Sequence, residues 1–196
     1  PSWSPDGKRF VCSRTQGGTH ISIMTLDGRE QQRVNGGWSG QWSPDGKLIA
    51  YRSGNRLMLY EVESGQSRDV LGAANTYNDI LWNCCWSPDS KQICFKAGLR
   101  DGRFDVALVA AAGAEHGLKV RYTGASFNPK FAWHPTENRI VFAMHCAERR
   151  ALQLYQFDPT TNDAPVLVPG QDPRSDNGDP CWTPDGKRLI VTCGSY

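Results

Sequence analysis

Short runs of alternating apolar and polar residues, separated by turn residues, occupy most of the chain. The run from residue 47 to residue 53 alternates as a half-buried β-strand does, and runs at 10–12, 93–95, 140–142 and 189–191 follow a turn in the same way. A third strand is predicted at 21–26, 57–62, 106–109 and 152–157, and a fourth, more polar strand near 32–34, 68–71, 118–122 and 166–168. The pattern therefore predicts repeated units of four antiparallel strands.

One phrase, Trp-Ser-Pro-Asp-Gly-Lys or a variant of it, precedes the second strand of each unit. Its five copies are separated by 39 to 49 residues and begin at Trp3, Trp42, Trp86, Trp133 and Trp182. Pro presets φ, Asp suits the next position and Gly accepts a positive φ, so the phrase predicts a type I turn with a bulge between the first two strands. Repeats of roughly 40 to 50 residues are typical of β-propeller blades.

The order of the strands predicts which loops share a face of the propeller. If strands a to d run from the central channel outward, the a–b and c–d turns lie on one face, which we call the motif face because it carries the repeated phrase. The b–c loops and the links between blades lie on the opposite, variable face. Its long loops are expected at 72–83, 97–103, 123–130, 145–150 and 169–179.

The five Trp residues of the phrase are expected to pack between blades, because they recur at one structural position and bury much apolar area. Trp38 and Trp82 each stand four residues before a copy and are better candidates for stacking on a ligand. In the fourth copy, Glu137 occupies the glycine position and His134 the serine position. We expect that turn to be rebuilt with Asn138 at positive φ, and His134 to be a surface turn residue.

Four complete units and one a–b hairpin predict an all-β propeller with four complete blades plus a partial fifth. We expect residues 1–196 to form a single propeller domain that is incomplete at both ends and belongs to a larger ring, since an open propeller leaves strand edges that invite aggregation. A closed four-bladed disc is the alternative.

The segment from Trp42 to Tyr51, followed by Leu57-Met58-Leu59-Tyr60 and Ser64-Gly65, resembles the WD40-like repeat of TolB-type β-propellers. The resemblance covers almost the whole chain. It implies a periplasmic or cell-envelope disc that acts as a scaffold for protein partners and has no catalytic residues. The repeat is also similar to the gating propeller of prolyl-peptidase-type serine hydrolases and to the propeller of oligogalacturonate lyases.

The net charge, the lack of long apolar runs and the lack of known catalytic motifs reduce the number of function classes that fit the sequence. Lys plus Arg number 22 against 20 Asp plus Glu, a net charge of +2, which gives no sign of a nucleic-acid partner. No apolar run approaches the ~20 residues of a membrane span, so direct membrane insertion is not expected. The chain lacks a Gly-x-Ser-x-Gly elbow, a phosphate-binding loop and a His-Glu-x-x-His motif, so we predict no enzyme activity, no cofactor and no metal site.

The lyase alternative requires clustered histidines at the channel mouth, whereas the four His residues are spread over three repeats at different strand offsets. The hydrolase alternative requires a Gly-x-Ser-x-Gly segment in a further domain. Carboxylates at 172, 176 and 179 suit calcium, but their spacing matches no known loop. The seven Cys residues lie at irregular spacing and are expected to be small apolar residues of strands. A disulfide that uses Cys84 or Cys85 is an alternative, but the spacing does not identify its partner.

A mixed Asp and Arg rim on the variable face is the predicted binding site, for a protein or peptide partner or for a sugar acid; the identity of any small-molecule ligand is left undefined. The alternative is ordinary solvated loop polarity. The candidate binding residues are Trp38, Tyr77, Asp79, Trp82, Arg100, His145, Arg149, Asp176 and Asp179.

Overall fold

The computed structural model describes residues 1–81, 83–124 and 127–194, which form antiparallel sheets and two short 3-10 helices. Blade 1 contains β1 (Ser2–Trp3), β2 (Arg9–Arg14), β3 (His20–Thr25) and β4 (Glu30–Asn35), paired in that order. Blade 2 contains β5 (Trp38–Trp42), β6 (Leu48–Ser53), β7 (Arg56–Glu61) and β8 (Ser67–Asp69).

Blade 3 has an interrupted innermost strand, because β9 (Asp79–Ile80) and β10 (Cys85–Trp86) both pair with β11 (Gln92–Gly98). Its outer strands are β12 (Phe104–Ala110) and β13 (Leu118–Gly124), and the 3-10 turns are Gly72–Ala74 and Ala114–His116. Blade 4 contains β14 (Phe127–Trp133), β15 (Ile140–Cys146), β16 (Ala151–Phe157) and β17 (Val166–Leu167), and a hairpin of β18 (Asp176–Trp182) and β19 (Leu189–Gly194) follows. The predicted four blades and partial fifth are confirmed.

The apolar core lies between successive blades rather than within one of them. One buried cluster joins Val11 and Ile21 of blade 1 to Ile49 of blade 2, and a second joins blade 2 to blade 3 through Leu59 and Phe95. Two further clusters join blade 3 to blade 4 and blade 4 to the final hairpin. Each blade therefore buries both of its faces only when it has neighbours, as expected for a repeat structure.

Four of the five motif tryptophans belong to these interfaces, as predicted. Trp42 and Trp86 are buried, and Trp133 and Trp182 are half-buried at the two later interfaces. The indole Nε1 of Trp86 donates to the carbonyl of Gln41 in blade 2 at 3.0 Å. Trp3 differs from the others, since 57% of it is exposed.

The repeated phrase is a hydrogen-bonded turn closed by its serine. In the second copy, Ser43 is fully buried, and its hydroxyl donates to the carboxylate of Asp45 at 2.6 Å and accepts the N–H of Leu48 at 3.0 Å. The same carboxylate accepts the N–H of Lys47 at 3.1 Å. Ser4, Ser87 and Thr183 repeat this arrangement in three other copies. The Ser and Asp of the phrase thus close the turn that shapes the blade.

The fourth copy is rebuilt in a way that the sequence did not predict. Asn138 does not take a positive φ, so that expectation is wrong. Instead, Nδ1 of His134 accepts the main-chain N–H groups of Thr136 at 3.3 Å and Glu137 at 3.0 Å, and Nε2 donates to the carbonyl of Gly186 at 3.0 Å. His134 is only 4% exposed, so it is a buried link to the final hairpin and not a surface residue.

Candidate functional site

A cleft on the variable face between blades 1 and 2 brings one of the predicted stacking residues next to a cation. The cleft has a volume of about 290 Å³ and is lined by Thr19, Gly36, Trp38, Arg52 and Gly54. We call it the Trp38 cleft. Trp38 begins β5 and lies directly opposite Arg52 of β6 in the antiparallel register. The indole is half-buried, so part of it faces the cleft.

A bulge directly after Trp38 sets the position of the indole. The register of β5 shifts between Trp38 and Gln41, and Ser39 within this shift has a φ of 57°. A left-handed conformation costs a non-glycine residue about 1–2 kcal/mol. The N–H of Ser39 donates to the hydroxyl of Ser13 in blade 1 at 2.9 Å, which ties the bulge to the neighbouring blade. Backbone strain of this kind is found preferentially at binding and catalytic sites.

The guanidinium of Arg52 is held in place at the cleft by two partners. Its Nη2 lies 3.0 Å from Oδ1 of Asp79, and its Nε donates to the carbonyl of Gly54 at 3.0 Å. The Arg52 side chain is 28% exposed and the Asp79 side chain 45% exposed. Because Asp79 belongs to β9 of blade 3, the ion pair orients a cation of blade 2 from the next blade. A guanidinium that lines the same cleft as an indole suits a carboxylate or carbonyl that adjoins an apolar group.

Tyr77 lies near this ion pair in sequence, but its ring is part of the core. It is 6% exposed and packs edge to face on Phe95 with ring centroids 5.9 Å apart. Burial, followed by the carboxylate of Asp105 beside its hydroxyl, raises the pKa of Tyr77 to about 12. The main-chain carbonyl of Tyr77 accepts Nδ2 of Asn55 at 3.3 Å. Tyr77 therefore supports the loop that precedes Asp79.

Arg149 and Asp176 lie in blade 4 and the final hairpin and do not line the Trp38 cleft. Arg149 donates to Oε1 of the fully buried Gln153 at 2.7 Å, and Oδ1 of Asp176 accepts the N–H of Leu152 at 2.5 Å. Nε2 of Gln153 donates in turn to the carbonyl of Ser175 at 2.9 Å. These contacts hold the loop 169–175 against blade 4.

The remaining predicted residues are spread over the molecule. Arg100 is exposed in the b–c loop of blade 3, and His145 is exposed near the end of β15. Asp179 is half-buried in β18, where it has a φ of 45° at a register shift. Trp82 lies outside the described residues. The structure thus brings together Trp38 and Asp79 through Arg52, and it does not bring the blade 4 residues into the same cleft.

Arg52 is the residue of this site that the sequence analysis missed. The alternating pattern predicts Arg52 as a residue of the second strand of its blade and does not by itself indicate its pairing with Trp38. Counting outward from the turn at 43–46 places residues 38 and 52 at the same end of the two strands. That count was the available signal, although the bulge at Ser39 shifts the register.

The alternatives that need a metal ion, held by the carboxylates at 172, 176 and 179 or by clustered histidines, have no matching geometry in the described part of the chain. Among the residues that the structure describes, no group of three His, Cys, Asp or Glu side chains is placed to hold a metal ion. His20 is buried in blade 1, where its Nδ1 is hydrogen-bonded to the carbonyl of Gly18. His134 lies in the fourth motif turn. Asp172 accepts the N–H of Arg174 at 2.9 Å. No helix within the described ranges has the length and apolar character needed to span a bilayer.

Comparisons with known proteins show the fold. No family model matches the chain, and no curated protein matches it. A structure described as TolB from Agrobacterium tumefaciens superposes with a TM-score of 0.78 at 19% identity, over 100% of this chain and 69% of that one. TolB from Acinetobacter baumannii has a TM-score of 0.69 at 17% identity, over 93% of this chain and 46% of that one.

An oligogalacturonate lyase from Vibrio parahaemolyticus is also similar, with a TM-score of 0.77 at 12% identity, over 98% of this chain and 57% of that one. The chain thus spans less than two thirds of two of these three structures. At such identities the likeness concerns the fold alone. The chain has the TolB-like β-propeller fold, which is shared by a protein named as an enzyme and by proteins named as TolB.

Proposed function

We propose that the protein is a non-enzymatic β-propeller scaffold that binds a protein partner through its variable face, with the Trp38 cleft as the central contact. The observation that carries this proposal is that Trp38 and Arg52 are direct cross-strand partners that line one cleft, with the indole half-buried and the guanidinium held by Asp79 at 3.0 Å. Trp and Arg are enriched among the residues that dominate the energy of protein interfaces. An Arg that is already oriented loses less freedom on binding.

The size of the cleft suits a single protein side chain. Pockets for small molecules usually measure about 300–1,000 Å³, and the Trp38 cleft of about 290 Å³ lies just below that range. An apolar side chain of an extended peptide would pack on the indole. A carbonyl or carboxylate of the same peptide would accept hydrogen bonds from Arg52.

The TolB neighbours support a scaffold role and, with it, a periplasmic or cell-envelope location and a single propeller domain over residues 1–196. The alternative is that this chain is the propeller part of an enzyme, which the oligogalacturonate lyase neighbour supports. No catalytic residue is assigned under either proposal.

The binding proposal is tested with a phage-displayed library of random peptides selected against the purified protein. Selected peptides are expected to bind the protein with an affinity that Trp38→Ala lowers tenfold or more, about 1.4 kcal/mol, and that Arg52→Ala also lowers. Trp3→Ala is the matched control, because Trp3 is an exposed tryptophan of the motif face. Equal affinity for all three variants, or no selected peptide, would contradict the proposal.

The enzyme alternative needs a separate measurement. Incubation with oligogalacturonate is expected to leave the substrate intact, as followed by the absorbance of the unsaturated uronate that a lyase releases. Accumulation of that product, abolished by heating the protein, would replace the scaffold proposal with the lyase.

A further inference from the structure

Two cysteines face each other across the inner strands of blade 3. Cys85 of β10 is the direct partner of Cys94 of β11 in the antiparallel register. Directly opposed residues of antiparallel strands have Cα atoms about 4.5–5.5 Å apart. Disulfides need a Cα separation of about 4.4–6.8 Å, so this pairing meets the distance requirement without movement of the strands.

The neighbouring Cys84 is not placed in the same way. Cys85 and Cys94 both belong to the apolar cluster between blades 3 and 4, whereas Cys84 belongs to the cluster between blades 2 and 3. Successive side chains of a strand point to opposite faces of the sheet. Of the two adjacent thiols, only that of Cys85 therefore lies on the same face of the blade as Cys94.

The two thiols also differ in access. Cys94 is fully buried, and burial raises its pKa well above the ordinary value, so it stays protonated. Cys85 is half-buried and lines a cavity of about 170 Å³ with Trp42, Lys130 and Phe131. Cys84 also lines this cavity, but of the two thiols that a small oxidant can reach there, only Cys85 is paired with Cys94 in the register.

We propose that Cys85 and Cys94 form a cross-strand disulfide when the protein meets hydrogen peroxide. The sulfur of Cys85 attacks one peroxide oxygen; an S–O bond forms, the O–O bond breaks, and one water leaves. The sulfur of Cys94 then attacks the Cys85 sulfenic acid; an S–S bond forms, the S–O bond breaks, and the hydroxyl leaves with the Cys94 proton as a second water. Two thiols are oxidised by two electrons and one peroxide is reduced to two waters.

The disulfide would join the innermost strand of blade 3 to its second strand. This is the blade whose innermost strand is interrupted between Ile80 and Cys85, so the covalent bond would fix its weaker segment. A thiol reductant reverses the reaction by thiol–disulfide exchange. The pair is thus a reversible modification site in the wall of the propeller.

Trypsin can report this bond directly, because Lys91 lies between the two cysteines. Peroxide-treated native protein is alkylated with N-ethylmaleimide and digested without reductant. The peptide 69–91, which holds Cys84 and Cys85, is expected to remain joined to the peptide 92–96, which holds Cys94, with a mass lower by two hydrogens than the sum of the two peptides, plus one N-ethylmaleimide where Cys84 is alkylated. Dithiothreitol is expected to separate them.

Three variants assign the bond. Cys84→Ser is expected to retain the linked peptides, and Cys85→Ser and Cys94→Ala to lose them, with circular dichroism confirming that each variant is folded. If Cys94→Ala does not fold, the comparison of Cys85→Ser with Cys84→Ser is sufficient. Complete alkylation of both thiols after peroxide treatment, persistence of the link in Cys85→Ser, or a link found only in covalent dimers would overturn the proposal.

Discussion

The hydroxyl of Ser90 accepts a hydrogen bond from the main-chain N–H of Asp45 at 3.0 Å, which joins the motif turns of blades 2 and 3. Ser90 occupies the position that glycine fills in the first, second and fifth copies, and it adopts the same left-handed conformation with a φ of 60°. The corresponding Gly46 lies against Pro5 of the preceding turn, since a Cβ there would be 3.2 Å from Pro5 Cγ. Neighbouring motif turns therefore touch, and Ser90 converts the contact into a hydrogen bond.

Substitutions at Ser90 separate the strain from the hydrogen bond. Ser90→Ala keeps the left-handed strain and leaves the N–H of Asp45 without its acceptor, so we expect a loss of about 1 kcal/mol in the free energy of unfolding. Ser90→Gly also loses the hydrogen bond but relieves strain of about 1–2 kcal/mol, so its stability is expected to be close to that of the wild type. Urea unfolding measures both. Equal stability of the two variants would show that the strain is unimportant.

His134 is expected to make a larger contribution. His134→Ala removes the acceptor for two main-chain N–H groups, the donor to Gly186 and the edge contact with Trp182, whose ring centroid lies 4.6 Å away. Loss of several hydrogen bonds at a buried position predicts a destabilisation of about 2 kcal/mol by thermal or urea unfolding.

His134→Ser is the informative intermediate variant. Serine restores the acceptor used in the other copies of the turn but cannot reach Gly186, so its loss is expected to be about half that of His134→Ala. His116→Ala serves as control, because His116 is exposed and should change stability by less than about 0.5 kcal/mol. A His134→Ala variant as stable as the control would disprove the linking role.

The strands could be predicted because their alternation and turn chemistry are local properties of the sequence. The burial of loop residues could not be predicted, because it depends on which loops lie next to one another. Tyr77 lies in the core because blade 3 places Phe95 against its ring. The turn at Asn138 was mispredicted because a side chain, His134, supplies the acceptor that the backbone lacks. Arg52 is oriented in part by Asp79 of another blade, a contact between repeats that the local pattern does not contain.

Acid should weaken the motif turns through their carboxylates. The hydrogen bond from Ser87 lowers the pKa of Asp89 below its ordinary value of 3.8, helped by the N–H of Lys91 and opposed by partial burial. A carboxyl group with a lowered pKa in the folded state stabilises the fold fully above pH 3.8, and this contribution is lost as the pH falls through the folded pKa.

Asp89→Asn and Ser87→Ala should therefore both reduce the dependence of stability on pH below about pH 4, when urea midpoints are compared at several pH values. The effect is expected to be small for one turn, because Asp89 is largely solvated. Acid sensitivity equal to that of the wild type in both variants would mean that this hydrogen bond does not favour the charged carboxylate.

Lys96 should make the stability of the fold depend on pH in the alkaline range. It is 4% exposed with Nζ 4.1 Å from the ring centroid of Phe104, and burial lowers its pKa from 10.5 to about 8. Between these values the unfolded chain binds more protons at this site than the folded protein does, so the Lys96 contribution to stability rises with pH.

The stability of the wild type relative to Lys96→Met should increase from about pH 8 to pH 10.5. Comparison with this variant cancels the titration of cysteines and tyrosines in the same range. Lys91→Met, at an exposed motif-face lysine, should instead follow the wild type in parallel. If the difference between the wild type and Lys96→Met stays constant with pH, the ammonium of Lys96 is not penalised by burial.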